Sequence, residues 1–360
     1  MSDRLRPLPF GLGLIEGFYG RPWDERDRLA MLDFLASAGY HYYVYAPKSD
    51  TGLRRRWREP WPEPRVLHLR ALAERARALG LCWGVGLSPL GLVESMDAGS
   101  MRALRARVGQ LDDIGVEMLC VLFDDMPREV DDLALRQADI VAEIMAVART
   151  RHLLVCPSYY SRDPVLERLF GERPRNYWES LGAQLPASVG VFWTGERVCS
   201  TAYPEEDLRD IAARLRRPPV LWDNYPVNDG ARMADHLHVG AFRDRPGTLA
   251  GLVTAHFVNP MNQCWLSRIP LATLPRAYAL GERYDADRAY RQACGMLAGE
   301  AAGLLEADLE AFQSKGRAGL DAMARAGLEA RYGAIDAPWA REITGWLRGE
   351  YTFDPACLTD

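Results

Sequence analysis

No stretch of the chain approaches the roughly 18 consecutive apolar residues that a membrane span requires. The first ten residues, MSDRLRPLPF, lack the apolar core of a secretory signal. Positive charge is not in excess either. Lys and Arg number 44 against 49 Asp and Glu, for a net charge of −5, and the isoelectric point is near 5.8. Nucleic-acid binders are usually strongly basic, so that class of partner is disfavoured. Cysteine is sparse and odd in number: seven, at positions 82, 120, 156, 199, 264, 294 and 357, with no C-x-x-C. That usage fits a reducing compartment better than a disulfide framework, so the expected location is cytoplasmic. A phosphate-binding P-loop, an H-E-x-x-H metal motif and a G-x-S-x-G nucleophile elbow are all missing. Gly11, Gly13 and Gly17 match a dinucleotide fingerprint only loosely, because they precede or lie within a strand-like run rather than following it.

What is present is an ordinary globular composition, 48% hydrophobic and 26% charged, over 360 residues. Strand-like and helix-like stretches alternate. Short β-rich runs fall at Gly13–Phe18, His41–Tyr45, Cys82–Leu87, Met118–Phe123, His152–Cys156, Val189–Trp193, Pro219–Trp222 and Thr248–Ala255. Helical periodicity separates them near Asp24–Gly39, Pro64–Leu79, Ser100–Leu111, Asp131–Thr150 and Glu205–Leu215. Such alternation implies parallel strands with crossover helices. Eight units fit a closed (β/α)8 TIM barrel better than a doubly wound sheet, although strand order is not visible in a sequence. From about Leu274 to Leu347 the chain turns rich in Ala, Leu, Glu and Arg, with Tyr290, Cys294, Leu297 and Ala301 at helical spacing. We therefore expect a catalytic barrel over residues 1–270 and a C-terminal helical domain over 271–360, of three to five helices. No low-complexity linker separates the two, so a shared interface is expected.

The stretch EMLCVLFDD, Glu117–Asp125, organises the rest. An apolar core strand ends on two adjacent carboxylates, Asp124 and Asp125. Nothing apolar can satisfy them, so they face solvent, a metal or a substrate, unless one of them caps the next helix. The C-terminal ends of barrel strands are where such folds keep their chemistry. The other predicted strand ends carry Glu16-Gly17-Phe18-Tyr19, Pro47-Lys48-Ser49-Asp50, Ser158-Tyr159-Tyr160, Trp222 through Asp229, and His256 through Asn259. Carboxylates, amides and aromatic faces converging on one rim suit a neutral, hydroxyl-rich ligand. His236 and His238 lie away from the carboxylate pair, and no metal or cofactor is expected.

Six motifs in order, GFYGRPW, YAPKSD, FDDM, CPSYY, LWDNYPVND and FVNPM, resemble family 84 of the glycoside hydrolases, the O-GlcNAcases and bacterial β-N-acetylglucosaminidases. The resemblance covers about residues 11 to 290 and fades over the last seventy. It implies a (β/α)8 barrel that removes terminal β-linked N-acetylglucosamine with retention, the substrate's own acetamido oxygen attacking C1 to give an oxazoline. By the match, Asp124 would hold the acetamido N–H, and Asp125 would be general acid, then base. The chain must leave strand geometry there for both to reach one sugar, and two close carboxylates would split their titration. Tyr160 would bind the acetamido oxygen, Trp222 would wall the acetamido methyl, and Asn224 would hold the cluster. Asp229 and Asn259 would take the 4- and 6-hydroxyls, and Lys48 with the Gly17 backbone the 3-hydroxyl. The implied partner is an N-acetylglucosaminylated protein, peptide or glycan, with a homodimer through the helical domain as a further expectation. Ser49, Leu90 and Gly230 depart from the family pattern outside the catalytic pair. The readings kept beside this one are a non-catalytic GlcNAc- or glycopeptide-binding module, a hyaluronan-cleaving relative and a metal-dependent hydrolase using the Asp pair as ligands.

Overall fold

The computed structural model describes residues 5–126 and 130–359. Eight parallel strands close into a barrel in sequence order: β1 (Leu12–Glu16), β2 (Tyr42–Tyr45), β3 (Cys82–Leu87), β4 (Met118–Leu122), β5 (His152–Cys156), β6 (Val189–Trp193), β7 (Val220–Asp223) and β8 (Ala255–Val258). The ring closes between β1 and β8, with Gly13 opposite Phe257. Around it run α1 (Glu25–Ala38), α2 (Glu63–Ala78), α3 (Ala98–Ile114), α4 (Leu133–Val147), α5 (Pro164–Phe170), α6 (Tyr177–Gln184), α7 (Glu205–Leu215) and α8 (Cys264–Leu280). Local chemistry sets several of the helix ends. Asp24 caps α1 by accepting the Asp27 N–H, and Gly39 ends it in the left-handed region. Asp97 and Gly115 do the same for α3.

The eighth strand departs from the sequence reading. Thr248–Ala255 is not a strand: Gly247–Gly251 is a 3-10 helix started at Pro246, and the strand is the next four residues. A short apolar run is compatible with either geometry, and what selects Ala255–Val258 is its pairing with both β1 and β7. The connection from β7 to β8 holds two 3-10 turns and no α-helix. So the strict alternation expected from the sequence fails there.

Beyond the barrel come α9 (Ala286–Ala298), α10 (Ala302–Ala307), α11 (Ala322–Gly333) and α12 (Pro338–Leu347). A division at residue 270 falls inside α8, a continuous helix that packs on both α1 and α9. The core of the appendage also draws on Leu237 and Val239 from the β7–β8 connection and on Leu266 and Ile269 from α8. Glu342 of α12 accepts the N–H groups of Trp265 and Leu266, at 2.9 and 2.8 Å, in the first turn of α8. Helix N-termini present unsatisfied donors, so one appendage side chain caps a barrel helix. Among the described residues no helix is long and apolar enough to cross a membrane.

Candidate active site

β4 delivers Asp124 and Asp125 to the C-terminal rim, where the backbone turns abruptly. Asp125 adopts φ 51°, the left-handed region, which a non-glycine residue enters only where its surroundings hold it there. The Arg54 guanidinium donates to the Asp125 carbonyl at 3.0 Å. Two residues earlier, the Phe123 N–H bonds the Cys156 carbonyl and the Ser158 hydroxyl donates to the Phe123 carbonyl at 2.9 Å. The turn brings both carboxylates into one cavity, which is the departure from strand geometry that two adjacent acids need. Gly17, Lys48, Tyr160, Trp222, Asn224, Asp229 and Asn259 line the same cavity.

The two acids have unlike surroundings. The Lys48 ammonium, itself buried, pairs with Asp124 Oδ2, while Asp124 Oδ1 is buried and finds no hydrogen-bond partner among the described residues. Burial alone would raise the Asp124 pKa. The Lys48 charge and hydrogen bond, helped by Arg54, more than offset it and hold the group below the ordinary carboxylate value. Asp125 instead accepts from two phenols, Tyr19 at 2.9 Å and Tyr160 at 3.2 Å. Its carboxyl is thus aimed by neutral donors, and among the described residues no cation forms an ion pair with it.

The far wall is a chain of amides. The Gly17 N–H donates to Asn259 Oδ1 at 3.2 Å, and Asn259 Nδ2 donates to Asn224 Oδ1 at 3.0 Å. Trp222 Nε1 donates to the same Asn224 oxygen at 2.9 Å, and Asn224 Nδ2 reaches the Val198 carbonyl at 2.9 Å. Every amide is therefore fixed in orientation. A Cβ at Gly17 would lie 2.5 Å from the Trp222 ring, so only glycine lets β1 pass this close to the indole. Asp229 Oδ2 accepts the Tyr19 N–H at 2.6 Å, and burial lifts the Asp229 pKa to about 6 against that hydrogen bond.

Several rim residues singled out in the sequence serve the scaffold instead. Glu16 is fully buried, bound by the Arg28 guanidinium and the Tyr43 hydroxyl. Asp223 takes two 2.8 Å bonds from Arg245 and a third contact from His256 Nε2 at 3.0 Å. Ser158 braces the end of β4. His238 meets the Pro226 and Val227 carbonyls through Nδ1, and among the described residues no three His, Cys, Asp or Glu converge as metal ligands do. Sequence reasoning missed Tyr19 and Arg54, which link Asp125 to the first two strand ends through the Arg54–Tyr19 hydrogen bond at 2.9 Å. Tyr19 lies inside a quoted motif, whereas nothing distinguishes Arg54 from its arginine neighbours.

A closed parallel barrel whose rim holds two unlike carboxylates in an amide- and indole-walled pocket belongs to the class of (β/α)8 proteins with a polar ligand site at the C-terminal rim. Sequence comparison narrows this class. A family profile described as beta-N-acetylglucosaminidase matches residues 12–314. The chain belongs to that family, family 84 of the glycoside hydrolases. It is 26% identical over 278 residues to the Protein O-GlcNAcase of Mus musculus and equally to that of Rattus norvegicus, matches that take in 75% of this chain and 30% of each rodent protein. The match thus spans under a third of the length of these relatives. Among solved structures, a mutant of the O-GlcNAc hydrolase of Thermobaculum terrenum superposes with a TM-score of 0.79 at 28% identity, covering 96% of this chain and 82% of that one.

Proposed function

We propose that the protein is a retaining exo-β-N-acetylglucosaminidase that works by substrate assistance. The observation that carries this reading is the unlike pair at one turn: Asp124 held as an anion by Lys48 with one oxygen to spare, and Asp125 poised between two phenols. Asp124 Oδ1 accepts the acetamido N–H, which raises electron density on the acetamido oxygen and aims it at C1. That oxygen bonds C1 as the bond to the leaving oxygen breaks, and Asp125 delivers a proton to the leaving oxygen. Water then attacks C1 of the oxazoline, giving up its proton to Asp125, and the product keeps the β configuration. Two inversions at C1 account for the retention.

Tyr160 exchanges its Asp125 contact for the acetamido oxygen as charge develops there. Trp222 walls the acetamido methyl, with Asn224 fixing the indole. Gly17 already spends its N–H on Asn259, so its carbonyl, with Lys48, takes the 3-hydroxyl. Asp229 keeps Oδ1 on the pocket side for the 4- and 6-hydroxyls, with Asn259 beside it. The substrate is a terminal β-linked GlcNAc on a protein, peptide or glycan; the rodent relatives are named Protein O-GlcNAcase and the Thermobaculum one an O-GlcNAc hydrolase. The test is hydrolysis of an aryl N-acetyl-β-glucosaminide, with the anomer of the first-formed product read by NMR, with and without chelator. Release of the β-anomer, unaffected by chelation, is expected. An α-anomer would overturn the mechanism, and absence of cleavage would leave a binding module.

A further inference from the structure

The cavity that holds the catalytic pair is lined not only by barrel residues but also by Cys357 and Thr359, which follow α12. Their route is built from specific contacts. Arg21, just past β1, stacks on the Tyr351 ring at 5.2 Å and lies 3.9 Å from the Glu350 carboxylate. The chain then passes over Gly20, where the Thr352 carbonyl would stand 3.4 Å from an added Cβ. A tight turn follows, closed by the Cys357 N–H on the Asp354 carbonyl at 2.8 Å and the Ala356 N–H on Asp354 Oδ1 at 2.9 Å. The turn places Cys357 Sγ 3.9 Å from Asp229 Oδ1, the oxygen left over for substrate. Thr359 lines the cavity beside the Tyr160 phenol.

The enclosed space that remains is about 50 Å³. That is room for a few waters, well short of the ~300 Å³ at the lower end of small-molecule pockets. Both residues also stand at groups assigned above to the sugar. We propose that residues 354–359 form an intramolecular plug that competes with the sugar for the pocket and has to leave before substrate enters. The proposal rests on the functional reading of that pocket. The Asp354 turn and the Cys357 contact hold the plug at groups the sugar itself would use, so the two compete directly. Its effect follows population-shift arithmetic: the apparent affinity falls by the fraction of chains that are unplugged, while turnover of bound substrate is untouched.

The test uses the full chain and the variant Thr359→Asp, which sets a carboxylate against Asp124 and Asp125 and expels the segment. Iodoacetamide labelling of Cys357, followed by peptide mass spectrometry without any ligand, should be about tenfold faster in the variant. KM for an aryl N-acetyl-β-glucosaminide should fall severalfold at unchanged kcat, and added GlcNAc should speed Cys357 labelling in the wild-type chain. Equal labelling of the two chains, or GlcNAc protecting Cys357, would overturn the plug. Faster labelling in the variant with no turnover by either chain would keep the plug and sink the functional reading.

Discussion

Two strands of one barrel end on buried acids, and the contrast between them separates chemistry from scaffolding. At the end of β7, Asp223 has both oxygens taken, by Arg245 and His256, and is wholly enclosed. Just past β4, Asp124 has one oxygen on Lys48 and the other without a hydrogen-bond partner among the described residues, facing a cavity that Asp125 shares. In sequence the two are alike, an aspartate after an apolar run. What differs is leftover hydrogen-bonding capacity, and a buried carboxylate oxygen without a partner calls for an explanation, here a ligand in the cavity it faces. A carboxylate with every partner supplied holds the fold together; one with an oxygen to spare fits the proposed role in holding substrate.

The sharpest way to break this contrast is to neutralise each acid in turn. Asp125→Asn should lower kcat on poor leaving groups by about 10³–10⁴ while sparing activated aryl glycosides, because only the former need a proton. Asp124→Asn should cost on the order of 10²–10³ on both kinds of substrate, with a small change in Tm. Identical losses for the two variants on both substrates would remove the distinction drawn between them. On the other side of the comparison, Arg245→Ala leaves Asp223 charged and buried without its main partner. It should destabilise the protein by about 3–5 kcal/mol, read as a fall in Tm, since breaking a buried pair strands the other charge. If Asp124→Asn proved as destabilising as Arg245→Ala, the pocket acid would be scaffold too.

Acid titration sharpens the point at smaller scale. Burial would raise the Asp223 carboxyl, but Arg245 and His256 hold it down to about 2. A depressed folded-state value gives stability that is present above the ordinary carboxylate range and is lost as pH falls from about 4 towards 2. The contribution is on the order of 2 kcal/mol, measurable by chemical denaturation across that window. The smallest effect concerns Asp229, which burial lifts to about 6. In the role proposed for it, its carboxylate accepts sugar hydroxyls more strongly when ionised, so KM should rise as pH drops through about 6. Asp229→Asn should flatten that limb, and an unchanged limb would assign the titration elsewhere.

The barrel is legible in the sequence because most of its strands are uninterrupted apolar runs bounded by helical periodicity; Cys82–Leu87, His152–Cys156 and Val189–Trp193 fall where the pattern puts them. The eighth is not, since Ala255–Val258 is four residues long, contains His256 and is defined by its neighbours on either side. The pocket residues were legible through short motifs at strand ends. Those motifs do not distinguish an acid that faces a cavity from one that faces an arginine: Glu16 and Asp223 looked as available as Asp124. Their partners, Arg28 and Arg245, are met only when the chain folds. The same holds for Arg54 and for the 354–359 segment, whose contacts reach across the fold to residues near Asp125 and Asp229.

The β7–β8 connection carries Asn224 and Asp229 at one end, and further along it is seated in the helical appendage. The Leu237 N–H bonds the Phe312 carbonyl at 3.0 Å, and the Gly240 N–H bonds Gln313 Oε1 at 2.9 Å. Where other units of the barrel have their own helix as backing, this one leans on a neighbour. The sugar site is therefore indivisible from the helices that follow it. A chain severed at residue 270 would part α8 midway and take away the residues the loop rests on.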